Sequence, residues 1–338
     1  MILVFSGDAR EEDIQGAIEK IEKLGFKPHV SRGVLRTIVG ITGDDRTIPE
    51  EEFENLPGIE KIIHVLKPYK LASRDFHPED TRVTIKGKKI GSGTFTVIAG
   101  PCSVESDEQV ETIAKFIADM GISFIRGGAF KPRTSPYSFQ GLGEKGLKIL
   151  REAADRHGLA VVTEVMSAHD IDLVGKYTDI FQVGARNMQN FALLRGLGKV
   201  DKPVLLKRSM MGTIEELLLS AEYIMKEGNP NIILCERGIR TFETATRNTL
   251  DIAAVPVVKR FSHLPIIVDP SHSMGDWHYI LPASLAAIAA GADGIMVEIH
   301  PNPLVAKSDG KQTLNLEHFR ELYSSIEKLS KVLQVELQ

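Results

Sequence analysis

Cysteine is nearly absent from this chain: Cys102 and Cys235 are the only two among 338 residues. That excludes a disulfide scaffold and suits a reducing compartment, where both remain thiols. Long apolar runs are missing as well. The best candidate, residues 280–299, is broken by Pro282 and by Gly-Ala-Asp-Gly at 291–294. It falls short of the ~18 uninterrupted apolar residues that a membrane span requires. The opening residues, MILVFSGDAREED, lack the basic start and extended apolar core of a secretory signal. These absences point to a cytoplasmic protein with no membrane partner. Excess positive charge is also lacking, since 41 Lys and Arg face 45 Asp and Glu for a net charge of −4. A general nucleic-acid surface would be basic, so no nucleic-acid partner is expected. No GxGxxG follows a strand in a nucleotide-binding context, and there is no GxxxxGK[ST] loop, zinc ribbon or GxSxG elbow.

What the chain does contain falls into two parts. The first 66 residues form a self-contained pattern. Ile2–Phe5 is a short strand, followed by a helix whose apolar positions Ile14, Ala17, Ile18, Ile21 and Leu24 keep helical spacing and which stops at Gly25. Two strands, 27–31 and 34–41, flank a turn at Arg32-Gly33. A Pro-first, acid-rich helix covers 49–56, and a last strand covers 59–66. The order βαββαβ predicts a ferredoxin-like domain over 1–66. Residues 67–80 carry two prolines and little periodicity, and read as a linker. Residues 81–338 form the larger domain, opening with a hairpin that turns at Gly87.

From Thr94 onward strands and helices alternate. Strands are expected at 95–99, 123–126, 160–164, 180–183, 204–207, 232–236, 266–269 and 294–298. Helices are expected near 107–120, 144–157, 168–176, 189–198, 213–227, 244–254, 280–290 and 316–334. Eight such units match the size and period of a (β/α)8 TIM barrel, an α/β fold whose active end is the C-terminal end of its strands. The hairpin ahead of the barrel is expected to cover the opposite, N-terminal end. A doubly wound open sheet is the alternative, but it would leave the first and last strands apart.

Closure matters because of where the chemistry-bearing residues fall. Cys102 in AGPCS follows the first barrel strand, while His272 in DPSHS, Glu298 in GIMVEIHP and Asp309 in KSDGKQ follow the last two. In a barrel these four converge. A thiol, an imidazole and two carboxylates suit Mn, Fe, Co or Zn as a divalent ion. Each residue alone has a plain reading: a small buried Cys, a loop His, a turn Asp before Gly310. Their joint placement favours a metal, and a cation would relieve the burial of Glu298 within IMVEI.

Cations end the intervening strands: Arg126, Lys131, Arg133, Arg186, Lys207 and Arg237. In RGGAFKPRTSPYSFQGLG, Gly127 and Gly128 permit close backbone approach, and Thr134 and Ser135 add hydroxyls. Arg forks and Lys point charges in such a cluster bind phosphate or carboxylate. Arg208 fits a structural ion pair equally well. Glu164 and Glu236 could steady the cations or manage a proton, Asp269 could partner His272, and His300 stands out among the other histidines for its place beside Glu298.

AGPCS, KPRTSPYSFQGLG, VGARN, LLKRS, DPSHS and VEIHP…KSDGKQ together resemble the 3-deoxy-D-arabino-heptulosonate 7-phosphate (DAHP) synthases, from about residue 94 to the C-terminus. The ferredoxin-like module is similar to that of the type Iβ subgroup. The resemblance implies a transferase that condenses phosphoenolpyruvate (PEP) with erythrose 4-phosphate and releases phosphate, the first step toward aromatic amino acids. It implies a divalent metal on Cys102, His272, Glu298 and Asp309. PEP would be held by Arg126, Lys131, Arg186, Lys207 and Arg237, and the aldose phosphate by Arg133, Thr134 and Ser135. Lys131, Cys102 and His272 would be the catalytic residues. The subgroup further implies feedback inhibition by tyrosine or phenylalanine through the first domain and a homotetramer. The nearest rival, 3-deoxy-D-manno-octulosonate 8-phosphate synthase, takes a five-carbon aldose phosphate and has KANRSS where this chain has KPRTS. A non-catalytic metabolite-binding barrel would be expected to have lost a ligand or clamp residue, and none is missing.

Overall fold

The computed structural model describes residues 1–33, 36–42, 48–49, 51–63, 68–131, 137 and 139–338. Two compact units emerge, one of residues 1–79 with 261–263 and one of 80–260 with 264–338. Of the segment 67–80 read from sequence as a linker, residues 68–79 group with the first unit.

In that unit β1 (Ile2–Phe5), α1 (Glu11–Lys23), β2 (Lys27–Arg32), β3 (Thr37–Thr42), α2 (Glu51–Glu54) and β4 (Ile59–Ile63) build an antiparallel sheet ordered β2-β3-β1-β4. Successive side chains of a strand point to opposite faces. Met1, Leu3 and Phe5 accordingly join Val39 and Ile41 in one core, capped by Ile14, Ala17 and Ile21 of α1 and by Phe53. Leu24, expected on the same helix face, is exposed because α1 ends one residue before it. The parts of the expected strands at 34–35 and 64–66 lie outside the described residues.

The second unit opens with a hairpin, β5 (Arg82–Ile85) and β6 (Lys88–Gly91), and continues through eight parallel strands. These are β7 (Thr94–Gly100), β8 (Phe124–Arg126), β9 (Ala160–Glu164), β10 (Ile180–Val183), β11 (Val204–Lys207), β12 (Ile232–Glu236), β13 (Ile266–Val268) and β14 (Gly294–Glu298). Each pairs with the next, and β14 pairs with β7 from Gly294↔Thr96 to Glu298↔Gly100, so the sheet closes. The open-sheet alternative is thereby excluded. A short terminal strand, β15 (Glu336–Leu337), adds to the start of β7.

The two-residue period stacks the barrel interior into layers. Ile98, Phe124, Val162, Ile180, Leu205, Ile233, Ile267 and Met296 form one apolar cluster with Val83, Ile85 and Ile90 of the hairpin. The hairpin lies at the N-terminal end of the strands, where Lys86 Nζ donates to Leu159 O, 3.1 Å away, just before β9. Two residues beyond those apolar positions, at the opposite end, the same strand faces carry Gly100, Arg126, Glu164, Gln182, Lys207, Cys235, Asp269 and Glu298.

Seven of the eight expected helical segments occur where the periodicity places them: α3 (Asp107–Asp119), α4 (Glu144–Arg156), α5 (Ile171–Gly175) behind a single 3-10 turn, α6 (Phe191–Leu197), α7 (Ile214–Lys226), α10 (Ile280–Ala289) and α11 (Leu316–Leu333). The helix expected at 244–254 is wrong. Residues 239 and 249 form an isolated bridge, and the helix there is α8 (Ala254–Phe261). Pro256 sits in its first turn, where a missing N–H is harmless. The backbone of Arg247 and Asn248 instead donates to Met274 O at 3.0 Å and Ser273 O at 2.8 Å. A short helix not anticipated from sequence, α9 (Pro270–Met274), carries His272.

Gly100 marks how tightly β7 and β8 approach: an added Cβ would lie 1.9 Å from Arg126 O. Gly100→Ala should lower unfolding stability by ~3 kcal/mol, the upper end of overpacking effects. Gly16→Ala, in α1 with nothing within 4 Å of the added carbon, should stabilise by ~0.5–1 kcal/mol. Urea unfolding of both variants checks the contrast, and equal effects would refute it.

Candidate active site

The polar layer at the C-terminal strand ends is assembled by closure. Cys102 follows β7, Glu298 ends β14 and Asp309 lies in the loop before α11, yet the three offer ligand atoms within 4.8 Å of one another. Cys102 Sγ is 3.2 Å from Ser308 Oγ and 3.5 Å from Asp309 Oδ2. Asp309 has φ +50°, a left-handed backbone uncommon for a residue with a side chain. Its carbonyl accepts from Gln312 N at 3.1 Å and Thr313 Oγ1 at 2.9 Å, which holds that conformation.

His272 stands at the edge of this group, with Nε2 3.4 Å from Glu298 Oε1. Asp269 caps α9 and turns the imidazole: it accepts from the His272 backbone N–H at 2.9 Å and pairs with His272 Nδ1 at 2.8 Å. With Nδ1–H donating to the carboxylate, Nε2 is left as the ligand atom. Lys207 Nζ also binds Asp269 Oδ2. Burial pushes the Asp269 carboxyl up, but His272 and Lys207 outweigh it and hold the group well below the usual range.

The cations are buried and braced. Arg126 Nη1 donates to Glu298 Oε1 at 2.9 Å and to Pro101 O at 2.8 Å. Lys131 Nζ donates to Cys102 O at 2.9 Å and lies 3.2 Å from Cys102 Sγ. Arg237 Nη2 donates to His272 O at 3.2 Å. Arg126 Nε and Arg237 Nη1 are buried with no hydrogen-bond partner among the described residues. Buried guanidinium donors left unmet fit an anionic ligand. Arg186 is exposed on the turn after β10. Arg208 belongs to a separate structural cluster, donating to Glu236 at 2.9 Å and Asp251 at 2.7 Å. Arg133, Thr134 and Ser135, expected to hold the aldose phosphate, lie outside the described residues.

The donor set fits a divalent ion. Burial and the Glu298 charge push the Cys102 thiol up to about 11, so a cation is needed to stabilise its thiolate. Two residues were not anticipated from sequence. Gln312 Nε2 donates to Glu298 Oε2 at 2.6 Å, and Arg247 Nη1 reaches Gln312 Oε1 at 2.7 Å and Asp309 Oδ2 at 3.5 Å. The available signal was proximity of Gln312 to Asp309 in SDGKQ; Arg247 carried none. A cavity of about 330 Å³ beside them is lined in part by Thr244, Thr246, Arg247, Asp309 and Lys311.

Comparison with known proteins identifies the family. The DAHP synthetase I family matches residues 79–335, and the DAHP synthase ferredoxin-like domain matches residues 1–67. The chain belongs to the DAHP synthetase I family. It is 57% identical over 337 residues to phospho-2-dehydro-3-deoxyheptonate aldolase of Thermotoga maritima, covering 100% of both chains. A crystal structure of phospho-2-dehydro-3-deoxyheptonate aldolase (DAHP synthase) from Thermotoga maritima superposes with a TM-score of 0.80 at 56% identity, covering 100% of this chain and 99% of that one. A 2-dehydro-3-deoxyphosphooctonate aldolase of Fusobacterium nucleatum is more distant, at 32% identity over 72% of this chain and 93% of its own. Among the described residues, no helix of this family member is long and apolar enough to cross a membrane.

Glu298 gives the site a pH signature. Burial alone would raise its carboxyl, but His272, Arg126 and Lys131 bring it down from 4.5 to about 2. A depressed carboxylate contributes stability above its unfolded value and loses it as pH falls. In chelator, wild type should exceed Glu298→Gln in unfolding free energy by ~3 kcal/mol at neutral pH. That gap should close between about 4.5 and about 2. A gap independent of pH would show that the carboxylate charge is not what Arg126 stabilises.

Proposed function

We propose that this chain is a DAHP synthase, a transferase condensing PEP with erythrose 4-phosphate at the C-terminal rim of the barrel. The observation that carries the reading is the meeting of Cys102, Glu298 and Asp309 beside buried, incompletely bonded arginines. Cys102, His272, Glu298 and Asp309 would hold a divalent Mn, Fe, Co or Zn ion. That ion supplies Lewis-acid polarisation of the aldehyde carbonyl.

The remaining chemistry belongs to the side chains. Arg126, Lys131, Arg186, Lys207 and Arg237 bind the phosphate and carboxylate of PEP, and Arg133, Thr134 and Ser135 take the aldose phosphate. Fixing two anions in register brings C3 of PEP against C1 of the aldose, which removes much of the entropic barrier. Water adds at C2 and phosphate leaves by C–O cleavage. Lys131, 3.2 Å from Cys102 Sγ, stands between the substrate sites and is the candidate proton donor. Aligned cations stabilise the charge that develops at both anionic ends.

A coupled assay tests this directly. Loss of PEP should require both metal and erythrose 4-phosphate, stop on chelation and return with Mn²⁺ or Co²⁺. Cys102→Ser and Lys131→Met should each lower kcat/KM by ~100-fold or more. Turnover with arabinose 5-phosphate in place of erythrose 4-phosphate would favour the octulosonate reading, and metal-stimulated activity unaffected by loss of Cys102 would refute the site.

For the whole chain, we assign 1–66 to regulation, 67–80 to the connection and 81–338 to catalysis, in a cytoplasmic homotetramer inhibited by tyrosine or phenylalanine. The ferredoxin-like match at 1–67 supports a ligand-responsive first domain. A chain truncated to begin near residue 66 should keep turnover and lose inhibition by either amino acid. Inhibition that survives the truncation would place the inhibitor elsewhere.

A further inference from the structure

We propose that Gln312 is a positioning residue for the metal centre, its amide presenting Glu298 to the ion while Arg247 locks the amide in place. The proposal rests on the metal-dependent reading above.

Gln312 is 2% exposed and makes two complementary bonds, Nε2 to Glu298 Oε2 at 2.6 Å and Oε1 from Arg247 Nη1 at 2.7 Å. A carboxylate only accepts and a guanidinium only donates, so the amide has one satisfiable orientation. Its hold on Oε2 leaves Oε1 on the side of His272 Nε2, 3.4 Å away. Arg126 steadies Oε1 from its other flank at 2.9 Å. The carboxylate is thus pinned at both oxygens, and its plane is set before any ion arrives.

The backbone makes this contact reproducible. Leu314 N donates to Glu298 O at 2.9 Å and His300 N to Leu314 O at 2.9 Å, zipping the segment after Asp309 onto the end of β14. The anchor is tied in as well. Arg247 Nη1 is 3.5 Å from Asp309 Oδ2, and its backbone N–H donates to Met274 O at 3.0 Å, at the end of α9. One brace therefore touches the segments that carry His272, Glu298 and Asp309.

A neutral donor is the chemistry this position needs. A lysine or arginine at 312 would add positive charge against the ion, and a glutamate would repel Glu298 and offer no hydrogen. An amide orients the carboxylate, accepts from Arg247 and leaves the local charge unchanged.

Gln312→Met keeps the side-chain length and removes both polar atoms. Cobalt is the probe, titrated into metal-free protein by calorimetry and followed by the sulfur-to-cobalt absorption band of Cys102. The Kd for cobalt should weaken by ~10–100-fold, with the sulfur band restored at saturation because the thiol is untouched. Arg247→Met should weaken binding less in the Gln312→Met background than in wild type, since the part of its effect that runs through the amide is already lost and only its 3.5 Å pair with Asp309 remains. Gln312→Asn, which retains an amide withdrawn by one methylene, serves if the methionine variant does not fold, and should show the same direction of change. A cobalt Kd within about threefold of wild type in a folded variant would overturn the proposal, and so would a full additional loss from Arg247→Met. Wild-type turnover of PEP with erythrose 4-phosphate is measured separately. If it fails while Gln312→Met still weakens cobalt binding, the proposed activity falls and the positioning role stands.

Discussion

Pairing of the last barrel strand with the first is the constraint on which the site depends. Gly294↔Thr96 through Glu298↔Gly100 bring the first and last barrel strands into one parallel register. Cys102 and Glu298 are separated by most of the larger domain in sequence, and only this pairing makes them neighbours. The closure demands a bare backbone at Gly294, where an added Cβ would lie 2.3 Å from Thr96 O across the seam. Gly100, two residues before the candidate thiol ligand, is bare for its other neighbour, β8, whose Arg126 O would meet any Cβ.

The barrel interior then sorts itself by a simple rule. A strand alternates its side chains, so Phe124 and Arg126, Leu205 and Lys207, Ile267 and Asp269, and Met296 and Glu298 share a face two residues apart. The apolar member sinks into the cluster with the hairpin, and the polar member emerges at the rim. Charge burial at that rim is tolerated because opposite charges are matched at short range, Arg126 with Glu298 and Lys207 with Asp269, while Asp269 also pairs with the His272 imidazole. Removing one partner of such a pair leaves an uncompensated buried charge, which makes the rim sensitive to single substitutions. It also preorganises the site, since the donors need little reorientation when a ligand arrives.

Much of this was legible from residues alone, for identifiable reasons. The apolar runs of β9 to β12 and β14 have the bounds expected from sequence because both faces of a parallel strand are buried, giving continuous Val, Ile and Leu runs between polar breaks. The four candidate ligands stood out because each follows such a run. The helix expected at 244–254 failed because helical spacing in TFETATRNTL competed with tertiary hydrogen bonds to Ser273 and Met274 that no local pattern encodes. Leu24 failed for a smaller reason, the end of α1 one residue earlier. Arg247 was invisible for the same cause as the failed helix, and Gln312 carried no signal beyond its proximity to Asp309: their roles are defined by partners far away along the chain.

By itself the sequence determined the period of the strands, the βαββαβ order of the first domain and the identity of the donors at each strand end, because hydrophobic alternation and turn chemistry are local properties. Tertiary structure alone decided which donors meet, which cation neutralises which carboxylate, and that Asp309 takes a left-handed backbone. Those outcomes are set by the closing register and by bonds between residues far apart along the chain, and short-range pattern carries no record of either.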